Sequence, residues 1–160
     1  MEEDVKDIYC KKPGEAMGLA LKEAQAAAKA GEVPVGAVII DSQTGKVLAR
    51  AHNRVERDND PTAHAEVLAI RSLSKQQKNA RLKDCDLYVT LEPCPMCATA
   101  ISFARIRRVY YGAYDPKGGG VDHGPCIYEH DTCHHRPEVY GGLSEEACAT
   151  LLKSFFQERR

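Results

Sequence analysis

The chain has 160 residues, of which 43% are hydrophobic and 28% charged, with a formal net charge of −1. This length and composition suit an ordinary globular protein with one domain over residues 1–160, and no apolar run approaches the ~20 residues of a membrane span. Because acidic and basic residues are nearly balanced, net charge supplies no attraction to nucleic acid, and any RNA contact must come from local patches.

The first half of the chain predicts a helix, a hairpin and a second helix. Apolar residues recur at helical spacing over residues 15–29, before Gly31. Two β-branched or apolar runs, residues 35–40 and 46–51, flank a polar turn and predict an antiparallel hairpin. We expect Thr62 to be the N-cap of a helix that reaches residue 74.

The second half alternates strands with helices. Residues 86–90 and 108–112 predict strands, and residues 93–105 predict the helix between them. Residues 115–142 are rich in Gly, Pro and His and are expected to form one long irregular loop before a closing helix. Strands linked by helices predict an α/β fold, a three-layer α/β/α sandwich in which the hairpin makes the sheet mixed.

The seven cysteines point to metal binding rather than to disulfides. Their odd number prevents complete pairing. The acidic N-terminus lacks the basic and apolar pattern of a signal peptide, so we expect a cytoplasmic protein without a disulfide or membrane partner. In a reducing compartment, closely spaced cysteines favour metal binding or catalysis.

The imidazole of His64 and the thiols of Cys94 and Cys97 are groups that typically bind zinc. Cys94 and Cys97 share the first turn of a helix, and Pro95 is favoured at the first helical position, which makes Cys94 the cap residue. Helix N-termini lower thiol pKa values, so both sulfurs are expected to be biased toward thiolate. His64 is expected in the first turn of its own helix, and this donor set is typical of zinc.

The number of ligands indicates a catalytic site with one zinc ion per chain. Three protein ligands leave one position of a tetrahedral ion for water, whose pKa zinc lowers to about 7. Glu66 lies two positions from His64. We expect it to take the water proton, pass it to a ring nitrogen and later protonate the departing amine.

Other interpretations of these residues stay open. The two thiols could form a redox pair, although no thioredoxin-like context surrounds them. A downstream group could close the zinc site as a structural one or bind a second metal, but its spacings match no common metal pattern and we expect loop residues instead. This group consists of His123, Cys126, His130, Cys133, His134 and His135.

The motif His-Ala-Glu with Pro-Cys-x-x-Cys is the signature of zinc nucleobase deaminases. The chain resembles the bacterial tRNA-specific adenosine deaminases of the cytidine and deoxycytidylate deaminase superfamily over about residues 14–160. The resemblance is carried by residues 31–38 (GEVPVGAV), 53–54 (NR), 60–66 (DPTAHAE), 90–97 (TLEPCPMC), 112–117 (GAYDPK) and 155–160 (FFQERR).

The resemblance implies a cytidine-deaminase-like fold and a homodimer. It further implies conversion of adenosine to inosine at the tRNA wobble position, with zinc-bound hydroxide attacking adenine C6. By the same resemblance, Asn53 is expected to hydrogen-bond the flipped base. Val35 and Ala65 are expected to wall the pocket, while Asp115 and Lys117 are expected to lie where the anticodon loop passes.

Two rival functions remain at this point. One is a deaminase of a free base or nucleoside, such as guanine or cytosine, with the same zinc chemistry. The other is a non-catalytic RNA-binding module with a structural zinc, which would need a fourth protein ligand and would have no use for Glu66. Residues 118–123 and 133–135 depart from the family pattern, so the contacts of this loop are not carried over.

Overall fold

The computed structural model describes residues 7–159. The helices are α1 (Pro13–Lys29), α2 (Ala65–Gln77), α3 (Pro95–Phe103) and α4 (Glu145–Gln157), with a short 3-10 helix at Ile127–Glu129. The strands are β1 (Gly36–Asp41), β2 (Val47–His52), β3 (Cys85–Leu91), β4 (Arg108–Ala113) and β5 (Glu138–Tyr140). No helix within these residues is both long enough and apolar enough to span a membrane.

The five strands form one mixed sheet in the order β2-β1-β3-β4-β5. Strand β1 pairs antiparallel with both β2 and β3, whereas β3, β4 and β5 are parallel. The predicted hairpin and the mixed sheet are therefore confirmed. The parallel strands bring the ends of β3 and β4 to one edge of the sheet, where α3 and the 115–142 loop begin.

Helices cover both faces of the sheet. Alternate residues of β1 point to opposite faces. Val38 packs with α1 and α4 in a cluster that includes Met17 and Cys148, while Ile39 packs in the larger cluster under α2 and α3 with Ile101. The three-layer α/β/α sandwich predicted from the order of elements is therefore confirmed. Because helices cover both faces, β1 and β3 are apolar on both sides.

The start of α2 differs from the prediction. The helix begins at Ala65, and Thr62 is not its cap. Instead, both the backbone N–H and the hydroxyl of Thr62 donate to Asp60 Oδ1, which holds Thr62 in the preceding turn. The first helical N–H, that of Ala65, donates to the side-chain oxygen of Asn53. The capping hydrogen bond at the start of α2 is therefore supplied by Asn53, which is distant in sequence, and not by the side chain of the N-cap residue His64.

The long loop is more ordered than predicted. It contains the 3-10 helix and the three-residue edge strand β5, which pairs with β4 from Arg108 opposite Glu138 to Tyr110 opposite Tyr140. The Arg108 guanidinium forms an ion pair with Glu138, and the rings of Tyr110 and Tyr140 stack with centroids 4.9 Å apart. The prediction of one wholly irregular segment was wrong because a strand this short has no period to detect.

Candidate metal centre

The three predicted metal ligands meet where two helices begin. His64 and Cys94 are the N-cap residues of α2 and α3, and Pro95 occupies the start of α3 as predicted. Nδ1 of His64 lies 3.6 Å from Sγ of Cys94 and 3.6 Å from Sγ of Cys97. The three ligand atoms lie within 4.8 Å of one another and form the one such group of metal-ligand side chains found in residues 7–159.

These separations fit a tetrahedral zinc ion. With Zn–N bonds of ~2.0–2.1 Å and Zn–S bonds of ~2.3 Å, tetrahedral geometry places nitrogen and sulfur ligands about 3.6 Å apart. Cys97 is fully buried and Cys94 partly so. Within the described chain, no fourth His, Cys or carboxylate joins the group. The donor set is therefore that of an open zinc site rather than a closed structural one.

The two thiols have opposite tendencies to ionise. A hydrogen bond with Cys97 lowers the pKa of Cys94 to about 4, although burial opposes the shift. The same hydrogen bond and burial raise the pKa of Cys97. Two neighbouring thiolates in a buried site repel each other, so the second deprotonation is unfavourable unless a bound cation offsets the charge, whereas a metal ion favours the thiolate form of both ligands.

Glu66 lies beside the metal ligands in the first turn of α2. Its side chain lines the same cavity as His64 and Cys94, and the residue is only 4% exposed. Burial raises the pKa of Glu66 to about 7. A carboxyl group with a pKa near the working pH is suited to accept a proton and release it again.

Asn53 and one of the two predicted wall residues line the same cavity as this carboxyl. Asn53 lines the cavity and is 8% exposed, with its Oδ1 accepting the N–H of Ala65 at 2.8 Å. Val35 also lines the cavity, and its carbonyl accepts the N–H of Asn53. Ala65, the other predicted wall residue, is fully buried and is not among the residues that line the cavity. Since Oδ1 of Asn53 is engaged, its Nδ2 is the group available to a ligand.

The 115–123 loop closes another side of the cavity. Asp115 lines it, whereas Lys117 is exposed and donates its backbone N–H to Oδ1 of Asp115 at 3.3 Å. A Cβ on Gly119 would lie 2.2 Å from Oε2 of Glu92, and one on Gly120 would lie 2.5 Å from the backbone nitrogen of Pro95. These glycines therefore let the loop pack directly against the start of α3.

The cavity has a volume of about 610 Å³, within the usual range for small-ligand sites. It extends from His64 and Glu66 to Phe155 and Arg159 at the end of the chain. The Arg159 guanidinium carbon lies 3.6 Å from the centre of the Phe155 ring. Arg159 thus adds a cation to the lining of the cavity that also holds His64 and Glu66.

Known proteins share both the motif and its setting. Residues 11–113 match the family described as the cytidine and deoxycytidylate deaminase zinc-binding region. The tRNA-specific adenosine deaminase of Agrobacterium fabrum is 54% identical over 144 residues, which cover 90% of this chain and 93% of the relative. The chain belongs to the tRNA-specific adenosine deaminases. It thus carries a zinc-binding deaminase domain, and zinc is its cofactor.

Solved structures of deaminases agree with the architecture. A chain from a study of A-to-I editing by tRNA:A34 deaminases at the wobble position is 54% identical, with a TM-score of 0.84 over 86% of this chain and 99% of that one. Guanine deaminase from Nitrosomonas europaea is 21% identical, with a TM-score of 0.83 over 95% and 88%. The second likeness concerns the fold alone, since one fold can host different substrates.

The downstream His and Cys residues organise the loop between β4 and α4. Nδ1 of His123 lies 2.7 Å from Glu92, and Nε2 of His130 lies 2.6 Å from the carbonyl oxygen of Pro125. These histidines, with Cys126, Cys133 and the two histidines that follow it, form no second metal-ligand group in the described residues. These contacts agree with the expectation that the group consists of loop residues.

Two buried carboxylates near the deaminase cavity were missed by sequence reasoning. Glu32 accepts the backbone N–H groups of Glu56 and Arg57 at 3.0 and 2.9 Å. Burial alone would raise the pKa of Glu92, but hydrogen bonds, among them those from the Asp115 N–H and the His123 ring, outweigh it and lower that pKa. No local sequence pattern signals such contacts, because their donors lie more than twenty positions away.

Proposed function

We propose that this chain deaminates adenosine to inosine at the wobble position of tRNA, acting in the cytoplasm on the exposed anticodon loop. The support is the 54% identity with a relative of that name along nearly the whole chain. The observation that carries the proposal is the continuity of the cavity from His64 to Arg159. A free base needs no distant cation, whereas an RNA strand carries phosphates that a guanidinium binds.

The proposed ligands of the zinc ion are His64, Cys94 and Cys97. When bound, zinc polarises a water molecule and lowers its pKa to about 7. The carboxylate of Glu66 accepts a proton from the water and delivers it to N1 of adenine. It then carries the second proton of that water, from the oxygen now bound to C6, to the amino nitrogen. A C6–O bond forms, the C6–N bond breaks, and ammonia leaves as inosine is produced.

The remaining site residues hold the base and the strand. Asn53 presents its Nδ2 to the purine ring, and Val35 packs against the base, with Ala65 supporting the wall from behind. Asp115 and Lys117 lie along the path of the anticodon loop. These proposed roles are supported by the places of Asn53, Val35 and Asp115 in the cavity lining and by the family to which the chain belongs.

A substrate panel tests the proposal. We expect inosine from an anticodon stem-loop with a wobble adenosine, and no ammonia from free guanine, cytosine or cytidine. The target base must leave its stack, which costs about a few kcal/mol and least in an unpaired loop. The same adenosine in a full duplex should therefore react slowly. Ammonia from a free base without inosine in the RNA would overturn the proposal.

The proposed functional unit is a homodimer. Phe103 at the end of α3 is 76% exposed, and a second cavity beside it, of about 430 Å³, is lined in part by Pro125 and Ile127. Large exposed apolar groups are typical of protein interfaces. Sedimentation equilibrium should give twice the 17.6 kDa chain mass, and Phe103→Ser should lower it, unlike Phe156→Ser on α4. A wild-type mass of one chain would contradict the dimer.

A further inference from the structure

The loop after β4 is wrapped around one buried carboxylate. The side chain of Glu92 is fully buried. Its Oε1 accepts the backbone N–H of Asp115 at 3.1 Å. Its Oε2 accepts three further backbone N–H groups, at 3.1 to 3.3 Å, from Val121, Asp122 and His123. Glu92 precedes the Pro93-Cys94 pair, so the loop is anchored two residues from a metal ligand.

The same carboxylate fixes the orientation of the His123 ring. Nδ1 of His123 lies 2.7 Å from Oε1 of Glu92. Because Oε1 accepts hydrogen bonds at this position, Nδ1 must be the nitrogen that donates. A ring with a single proton then carries it on Nδ1, and Nε2 is left as a pure acceptor.

The His123 ring lies next to the lining of the cavity, because its hydrogen-bond partner Glu92 lines that cavity. Its side chain is one-third exposed (33%), and no partner for Nε2 is found within residues 7–159. The ring packs edge-on against Tyr114, with centroids 6.2 Å apart, and Tyr114 packs edge-on against the buried Tyr111. Glu92 and Asp115, which flank the ring in the hydrogen-bond network, both line the cavity.

We propose that Nε2 of His123 accepts a hydrogen bond from a ribose 2′-hydroxyl of the substrate loop, which makes His123 a residue that selects RNA over DNA. The inference rests on the proposed function, in which the anticodon loop passes Asp115 and Lys117. A phosphate oxygen can only accept, whereas the 2′-hydroxyl can donate and is the group that distinguishes RNA from DNA. An acceptor fixed in place by a buried carboxylate therefore matches the sugar.

Two variants separate this contact from the role of the ring in holding the loop. In His123→Asn the side-chain amide can still donate to Glu92 in place of Nδ1, but the acceptor at Nε2 is gone. In His123→Gln a polar group is restored at the distance of Nε2. His134→Asn is the matched control, because His134 is exposed in the same loop and makes no side-chain hydrogen bond within the described chain.

The experiment measures kcat and KM at pH 8 with an all-ribose anticodon stem-loop and with loops that carry one 2′-deoxy nucleotide at a time. For the wild-type protein, we expect one loop position at which the deoxy substitution lowers kcat/KM about tenfold, mainly through KM. His123→Asn should lower kcat/KM for the all-ribose loop by a similar factor and should be insensitive to deoxy substitution at that position. His123→Gln should recover part of the loss.

The outcomes distinguish this inference from the proposed function. If His123→Asn were as sensitive as the wild-type protein to deoxy substitution at every position, the 2′-hydroxyl contact would be overturned, and a phosphate contact or none would be indicated. Unchanged kcat/KM in His123→Asn would overturn it as well. Failure of the wild-type protein to make inosine in the all-ribose loop would overturn the proposed function itself.

Discussion

Oδ1 of Asn53 accepts the backbone N–H of Ala65 at 2.8 Å. Ala65 lies between His64 and Glu66, so this bond joins the proposed base-binding residue to the start of the helix that carries the proposed metal ligand and the proposed proton-transfer residue. Since an amide oxygen must face the N–H, the bond also determines which end of the Asn53 amide faces the cavity. Asn53 thus has both a structural group and a ligand-binding group.

Asn53→Asp should separate these two roles. Aspartate keeps an oxygen for the Ala65 N–H but presents no N–H donor to the purine. We expect the variant to fold and to lose about 10- to 100-fold in kcat/KM on the anticodon stem-loop, the cost of one unpaired buried polar group. Asn53→Ala removes both roles and should also lower the thermal unfolding midpoint. Wild-type kcat/KM in Asn53→Asp would refute the base contact.

Glu66→Gln should remove proton transfer without removing zinc. Glutamine has nearly the same shape but cannot take up the proton, and loss of general acid–base catalysis costs about 10²- to 10⁴-fold in kcat. Metal analysis should still find one zinc ion per chain. Glu146→Gln, on the exposed first turn of α4, is the control and should keep full activity. Substantial turnover by Glu66→Gln would show that another group moves the proton.

Cys97→Ala should lose both zinc and stability. The proposed zinc site has three protein ligands, so removal of one leaves an incomplete donor set, and the zinc ion no longer stabilises the folded state by binding to it. The midpoint of thermal unfolding should fall toward that of the chelator-treated wild-type protein. Cys126→Ala changes another thiol outside the group and should retain zinc. If Cys97→Ala still bound one zinc ion, the ligand assignment would be wrong.

Two glycines should respond in opposite ways to alanine. A Cβ on Gly18, within α1, would meet nothing within 4 Å, so Gly18→Ala should stabilise the protein by about 0.5–1 kcal/mol through helix propensity. A Cβ on Gly36 would lie 2.0 Å from the carbonyl oxygen of Ala20. Gly36→Ala must push α1 away from β1 and should lower the thermal unfolding midpoint or prevent folding. An equal response of the two variants would contradict this packing.

The local pattern of the sequence was enough for most of the fold. Apolar periodicity located α1, and short apolar runs located the β1–β2 hairpin and the strands β3 and β4, because these segments are buried on one face or on both. Covalent neighbours also determined that Cys94 would cap α3, since Pro95 is compatible only with the first turn. The prediction of His64, Cys94 and Cys97 as ligands needed only residue types and spacing.

Tertiary structure decided what those residues can do together. The distance of 3.6 Å from His64 to each sulfur exists because two helix starts meet beside the sheet edge. The capping of α2 by Asn53, the edge strand β5 and the burial of Glu92 under its own loop depend on contacts between distant segments. Such contacts leave no period in the sequence, because hydrogen bonds and desolvation depend on proximity in space rather than along the chain.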